Sequence, residues 1–353
     1  MGYRYIGSKE KLATIIIAEI RHRCPNASSV IDLMAGTGLF SLALRKEGYR
    51  VLASDVMTYS YHHLVVNLLL NRPPQFQDLV GVGGLGSSNY NSVLEYLNNL
   101  QPIDGFFTRE YSPGGKPLAG CNPRKYFTTL NASKIDAIRL TIRQWHEQKY
   151  ISDVEHSLLL HDLIMSANDI ANIAGTYGHF LSHFVQRSTD NITLTPHHFE
   201  ENDNILGHEI RKGYAEEISN LLTADVCYID PPYIKRQYAA NYHILETLAR
   251  EDEPDAIGES GLRPWRDQYS NFCSKVRIRN AFNLIINNIH CTNIFISYSE
   301  DGLLPIDDLM FFLRQFGDVE LKTIRYKRFR SNDSKKESNL SEYLIYLKKY
   351  ESR

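Results

Sequence analysis

Val226-Cys227-Tyr228-Ile229-Asp230-Pro231-Pro232-Tyr233 joins an apolar run to an acid, two prolines and an aromatic ring. Four consecutive apolar residues bounded by a turn signal read as a strand buried on both faces, the pattern of a parallel sheet. The prolines fix φ and remove backbone donors, so the turn after the strand is rigid and its carbonyls are available as acceptors. One carboxylate, one bare carbonyl and one ring face suit a planar ligand carrying an amino group. An Asp-initiated turn with Tyr233 packed beneath it fits the same residues, and the turn alone does not choose between them. In open α/β sheets ligands bind outside the carboxyl ends of the strands, which is where this turn falls.

Upstream, Val30-Ile31-Asp32-Leu33-Met34-Ala35-Gly36-Thr37-Gly38 reads as a short strand entering a glycine turn, and Leu39 to Leu44 as the helix that the turn opens. Glycines there let the backbone approach a ligand at the helix start. The stretch is neither the GxGxxG fingerprint nor a P-loop, since it lacks the Lys-Ser/Thr pair. A second strand, Tyr49 to Ser54, ends in Asp55, 23 residues after Asp32. That is close to the roughly 20-residue offset at which an acid after the second strand of a βαβ unit binds ribose hydroxyls. Glycine turn and spaced acid together read as a nucleoside site, although Asp32 and Asp55 taken singly would also serve as loop caps. Ahead of them, Tyr5-Ile6-Gly7-Ser8-Lys9 precedes the helical spacing of Leu12, Ala13, Ile16, Ile17 and Ile20. Gly7 and Ser8 are expected to form a loop and N-cap. Lys9 opposes the helix dipole, and is either a solvated cation or the partner of an anion.

With 353 residues, 43% hydrophobic and 23% charged, the chain has an ordinary globular composition and length for two lobes. A net charge of -2 gives no global basic signature, which weighs mildly against a nucleic-acid partner without excluding one. Cys24, Cys121, Cys227, Cys273 and Cys291 form no CxxC pair, so neither a disulfide framework nor a zinc site is expected. Cys227, inside the strand before the turn, reads as core rather than nucleophile. Ile15 to Ile20 is too short to span a bilayer and no signal-peptide pattern opens the sequence, so a soluble, cytoplasmic protein is expected.

Beyond Arg72-Pro73-Pro74 the alternation of strands and helices stops, with helical patterns at Ala132 to Trp145 and Val154 to Ile173, and resumes only near Ile210. Residues 71–205 therefore read as an insertion, part helix and part loop. Within it Arg109, Lys116, Arg124, Lys125 and Tyr177 are available to touch a polyanion, or else form a solvated face. The sheet pattern returns with His208 to Lys212, Val226 to Ile229, a helix over 275–289 and the strand Ile294 to Tyr298. Glu251 to Asp267 looks like a long excursion rather than core. Val319 to Tyr326 and Glu342 to Leu347 flank a basic link, Lys327 to Ser338, and are expected to pair as an antiparallel hairpin at one sheet edge.

Asp230-Pro231-Pro232-Tyr233 with Asp32 to Gly38 and the upstream Gly7-Ser8-Lys9 resembles the D12, or alpha-order, class of adenine-specific DNA methyltransferases, which includes the Dam methylases. Arg236-Gln237-Tyr238, Asn241 to Thr247, Ala171-Asn172, Gly175 to Gly178 and Ser297 to Gly302 resemble particularly the methylases found beside type IIS restriction enzymes. The resemblance implies an α/β fold: a doubly wound Rossmann-like methyltransferase sheet with a C-terminal antiparallel hairpin, plus an inserted, partly helical target-recognition domain. Residues 1–70 and 206–353 would form the catalytic domain and 71–205 the recognition domain. S-adenosylmethionine is the implied cofactor, touched by Tyr5, Gly7 and Lys9 from one side. Asp32 and the backbone of Met34, Ala35, Gly36, Thr37 and Gly38 would hold its methionine moiety, and Asp55 its ribose, with Asp230 also lining the site.

The same resemblance makes Asp230, Pro231, Pro232 and Tyr233 catalytic: Tyr233 stacks on a flipped-out adenine while the Asp230 carboxylate and the Pro231 carbonyl accept its N6 protons. Arg124, Lys125, Tyr177, Arg236 and Tyr238 would touch DNA, and the basic link would position phosphates. Two departures stand out. Tyr214 occupies a position where many relatives carry an acid, and Leu33-Met34 replace a more usual aromatic or proline. Double-stranded DNA is the implied partner, a cognate restriction endonuclease is left open, no metal or membrane is needed, and a monomer is expected. Methylation of cytosine N4 or of adenine N6 in RNA, or an idle DNA-binding regulator, share the same signals.

Overall fold

A computed structural model describes residues 10–118, 120–199, 207–327 and 339–350. In chain order it holds α1 (Glu10–Arg23), β1 (Ser29–Asp32), α2 (Leu39–Lys46), β2 (Arg50–Asp55), α3 (Thr58–Leu69), α4 (Tyr90–Asn99), α5 (Phe106–Tyr111), α6 (Thr129–Glu147) and α7 (Asp153–Ile170). There follow β3 (Glu209–Lys212), α8 (Ala215–Ile218), β4 (Val226–Ile229), α9 (Tyr238–Asn241), α10 (His243–Arg250), α11 (Ile278–Asn288), β5 (Asn293–Ser299), α12 (Ile306–Leu313), β6 (Gly317–Lys327) and β7 (Asn339–Lys349). Tyr5, Gly7, Lys9 and the link after Lys327 lie outside the described residues.

The chain divides into two compact units, each built from more than one segment. The first, from the described residues of Gly7–Leu68, Asn204–Tyr238 and Gln268–Arg353, carries a seven-stranded sheet in the order β3-β2-β1-β4-β5-β7-β6. From β3 to β5 the strands are parallel; β7 runs antiparallel to β5, and β6 antiparallel to β7. The hairpin therefore stands at the sheet edge, with its second strand inside. All four residues of β4 are buried, as expected of a parallel strand covered on both faces. Ile31, Cys227, Ile229, Ile294 and Ile296 pack with Phe282, Ile285 and Ile286 of α11 in one apolar core. Burial pushes the Cys227 thiol well above its ordinary range, which suits a core residue and not a nucleophile.

The second unit comprises the described residues of Leu69–Asp203 and Ala239–Asp267. Its two long helices begin at sequence-encoded caps. The Thr128 side chain accepts from Asn131 N–H at α6, and Ser152 with Glu155 makes a reciprocal capping box at α7. Residues Glu251 to Asp267, read as an excursion, are bound into this unit: Arg263 is 3% exposed and pairs with Asp252 at 2.7 Å. Among the described residues no helix is long and apolar enough to cross a membrane.

Candidate active site

Strand order reverses between β1 and β4. From β1 the chain proceeds outward to β2 and β3 on one side, and from β4 to β5 on the other. Such a switch point opens a crevice at the carboxyl ends of the two strands, because their following segments leave toward opposite sides. In register Asp32 lies opposite Tyr228, and Leu33 N–H donates to Tyr228 O at 3.1 Å. The Asp230 turn and the Met34 to Gly38 turn thus leave the sheet side by side.

The glycine turn is fixed from beneath by β2. Ala35 N–H donates to Ser54 O (2.9 Å), and Ser54 Oγ donates to Leu33 O (2.7 Å). Asp55 clamps the turn: Oδ2 accepts Gly36 N–H and Oδ1 accepts Met57 N–H, both at 2.8 Å. Gly36 (φ 56°) and Gly38 (φ 74°) adopt left-handed conformations. At Gly38 a Cβ would stand 2.9 Å from Asn67 Nδ2 and 3.1 Å from Leu64, so glycine is required for space as well as for φ.

Asp32 is enclosed below this turn, 1% exposed, and its Oδ2 accepts Ser41 Oγ–H at 2.6 Å. Burial pushes its carboxyl up to about 7, with the charges of Asp230 and Asp55 acting in the same direction. Tyr228 is buried beside it, its ring 4.3 Å from that of Phe40 and its hydroxyl 2.7 Å from Ser297 Oγ.

Across the crevice Asp230 is half-buried, Pro231 buried, and Pro232 and Tyr233 half-buried. Tyr233 is held at three points. Its carbonyl accepts Leu303 N–H (2.8 Å), its hydroxyl points to Glu342 Oε1 (3.5 Å), and its ring meets Tyr298 edge-on at 5.9 Å. Tyr298 is itself fully buried, with its hydroxyl accepting Leu304 N–H at 2.9 Å. Of these supports Tyr298 was legible only as part of a family-like stretch. Glu342, 109 residues from Tyr233, leaves no local signal, because only the β5–β7 pairing brings it there.

The residues expected to touch DNA separate into two groups. Arg124 is fully buried, and its guanidinium donates to Glu110 O and Oε2 and to the carbonyls of Ala256, Gly258 and Glu259 at 2.8–3.1 Å. Tyr177 is also fully buried and donates to Asn168 Oδ1 at 3.0 Å. Both side chains are committed inside the second unit, which corrects the expectation that they meet a polyanion. Lys125 is half-buried with Nζ donating to Ser182 O (3.0 Å), Arg236 is exposed, and Tyr238 is half-buried at the start of α9. Tyr214 caps α8 with its backbone, its carbonyl accepting Glu217 and Ile218 N–H.

A doubly wound sheet with a clamped glycine turn on one side of its switch point, and an acid–proline–proline–tyrosine turn on the other, is the arrangement of a nucleoside-handling α/β protein consistent with a methyltransferase. Comparison with known proteins gives the family. Residues 5–310 match the model of the D12 class N6 adenine-specific DNA methyltransferases, and the chain belongs to that family. It is 35% identical to the type II methyltransferase M.FokI of Planomicrobium okeanokoites, over 98% of this chain and 52% of the relative. It is 32% identical to the modification methylase StsI of Streptococcus sanguinis, again over 98% and 52%. With the type II methyltransferase M.NlaIII of Neisseria lactamica it shares 31% identity over 98% of this chain and 99% of the relative. The chain thus spans about half the length of the first two relatives and nearly all of the third.

Proposed function

We propose that this chain transfers a methyl group from S-adenosylmethionine to N6 of an adenine flipped out of double-stranded DNA, at a specific sequence, as the modification activity of a restriction–modification system. The observation that carries the proposal is the placement of Asp230 to Tyr233 directly across the switch point from the turn that Asp55 clamps. The relatives' names, type II methyltransferase and modification methylase, support the biological setting.

The residues present fit the cofactor. The two left-handed glycines leave a cradle without Cβ atoms, and the Asp55 carboxylate stands beside it at the end of β2, where ribose hydroxyls would meet it. Met34 to Gly38 would line the methionine end, while buried Asp32 would act through Ser41 and the shape of the turn. When bound, the cofactor supplies an electrophilic methyl on a sulfonium.

Adenine N6 is a poor nucleophile because its lone pair is delocalised into the ring. With its protons accepted by the Asp230 carboxylate and the Pro231 carbonyl, the nitrogen becomes pyramidal and its lone pair is exposed. Tyr233 holds the ring plane against the cost of leaving the base stack, a few kcal/mol. Catalysis then rests on positioning and on charge placed where the amine becomes positive, and the surplus N6 proton leaves by way of the Asp230 carboxylate to solvent. Base reading would fall to the unit that contains most of residues 71–205, with Lys125 among its contacts, while Arg236 and Tyr238 would touch DNA from the sheet-bearing unit. A monomer suffices, because both halves of the site come from one chain.

Labelled methyl donor and mixed-sequence DNA, followed by mapping of modified bases, tests the reading. Asp230→Ala should lose at least about 100-fold in methyl transfer, the scale of a charge-assisted contact made in the transition state, with a far smaller loss of cofactor affinity. Turnover close to the parent rate would end the mechanism, and a product other than N6-methyladenine would end the substrate assignment.

A further inference from the structure

Gln237 ties together two segments 33 residues apart: its Nε2 donates to Ser270 O at 3.0 Å and its Oε1 accepts Ser270 N–H at 2.8 Å. The Cys273 thiol adds a contact to Arg236 O at 3.3 Å, and the Arg277 guanidinium lies over the Tyr269 ring, 5.4 Å from its centroid. These contacts bring Lys235 and Arg236 beside the loop that carries Lys275 and Arg277. All four cations are exposed, and among the described residues none has an ion-pair partner. Elsewhere in the same unit Arg21 pairs with Glu47, Arg23 with Glu320, Arg50 with Glu209 and Arg279 with Asp308. Val276, between two of the cations, is 90% exposed.

The loop stands at the carboxyl edge of the sheet. It opens α11, an 11-residue helix about 16 Å long at 1.5 Å per residue. That helix ends next to His290, which bridges Thr223 ahead of β4 at the amino edge. Its start is therefore at the opposite edge, where Asp230 to Tyr233 sit.

We propose that Lys235, Arg236, Lys275 and Arg277 form a phosphate-binding ridge that holds the DNA backbone next to the extruded nucleotide. Four like charges gathered without paired acids repel one another, and a polyanion relieves that repulsion. Cations on long exposed stems meet phosphates without reading bases, so the ridge positions the duplex and leaves sequence choice to other residues. Val276 supplies an apolar contact for the deoxyribose between two phosphates. The placement rests on the reading of the Asp230 turn as the point that receives the target base.

The test measures binding of a fluorescent mixed-sequence duplex over a range of salt concentrations, on the Asp230→Ala background. Each phosphate contact removed should make the log–log salt slope shallower by about 1. Lys275→Gln with Arg277→Gln is expected to lower it by about 2 with an unchanged thermal midpoint; each single variant, by about 1, serves if the double variant is unstable. Lys348→Gln, at the amino edge where β7 pairs with Asn293, should leave it unchanged. An unchanged slope in the double variant, or an equal change in Lys348→Gln, overturns the ridge. So does an altered pattern of methylated sites when the double variant is made in the active chain. Failure of the methyl-transfer reading would appear separately, as turnover by Asp230→Ala.

Discussion

Gly302 lies so close to Tyr298 that a Cβ at position 302 would stand 2.3 Å from Cε1 of that ring. Tyr298 is fully buried, which leaves its ring little room to move, and it meets the Tyr233 ring edge-on. The loop after β5 therefore sets the plane on which the target base is proposed to stack. Gly302→Ala should push Tyr298 into Tyr233 and lower the single-turnover rate about 10- to 100-fold, the scale of a misplacement of about 1 Å. Cofactor affinity, measured by titration calorimetry, should stay within a few-fold. Tyr298→Phe keeps the ring and loses only the bond from Leu304, so it should be much milder. Equal loss in both variants would show that the hydroxyl, and not the ring position, matters.

The long 3.5 Å contact from the Tyr233 hydroxyl to Glu342 leads to a second expectation. A stacking platform needs the ring and not the hydroxyl. Tyr233→Phe and Glu342→Ala should each cost only a few-fold in turnover, whereas Tyr233→Ala should remove base extrusion, read from the fluorescence of a 2-aminopurine at the target position. A large loss in Tyr233→Phe would assign the hydroxyl a role in proton transfer that the stacking reading does not give it.

Asp55 holds two backbone donors, Gly36 N–H and Met57 N–H, before any ligand arrives. Removing the carboxylate leaves both without that acceptor, at about 1–3 kcal/mol. Asp55→Ala should therefore weaken S-adenosylhomocysteine binding by at least about 10-fold and lower the thermal midpoint in the absence of ligand. Asp55→Asn, which keeps one acceptor oxygen, should fall between. Weakened binding with an unchanged midpoint would separate ligand contact from turn support.

Much of the sheet was legible because buried parallel strands have to be apolar: Val30-Ile31, Val51 to Ala53, Val226 to Ile229 and Ile294 to Ile296 all lie in the core. The carboxyl ends of β2 and β4 are marked in the sequence by abrupt changes to polar residues, Ser54-Asp55 and Asp230. α3 carries no clean period, because His62, His63 and Asn67 are buried alongside its apolar residues. Arg124 and Tyr177 looked like surface groups because they sit in irregular segments rich in polar residues. The acceptors that bury Arg124 lie 14 to 135 residues away, and no local pattern announces them.

That burial makes a prediction of its own. Glu110, 2% exposed, is the only carboxylate among the Arg124 hydrogen-bond partners described, and three distant carbonyls depend on the same guanidinium. Arg124→Met should destabilise the second unit by at least about 1–3 kcal/mol, the scale of leaving buried acceptors unsatisfied, while Glu110 keeps its pairing with Arg109 at 3.1 Å. Arg124→Lys should rescue little, since an ammonium offers three donors where five bonds are made. Denaturant unfolding measures the loss. The salt slope for DNA, taken where the variant is folded, should not change; a shallower slope would restore Arg124 as a DNA contact.

Asp32 gives the chain a stability that depends on pH with an unusual sign. Its carboxyl titrates near its ordinary 3.8 when unfolded and at about 7 when folded, because burial penalises the charge. Between those values the folded state keeps a proton that the unfolded state has lost, so stability contributed by this group falls as pH rises and levels off above about 7. Asp32→Asn has no proton to lose and keeps an oxygen for the Ser41 hydroxyl. The variant should match the parent near pH 4 and exceed it by a few kcal/mol at pH 8, since each tenfold difference in proton affinity between the two states is worth about 1.4 kcal/mol. Thermal midpoints of both proteins across pH 4 to 8 test this: the curves should diverge upward in pH, with the asparagine variant above. Parallel curves would mean that the carboxylate is charged in the folded protein, compensated by a group closer than Ser41.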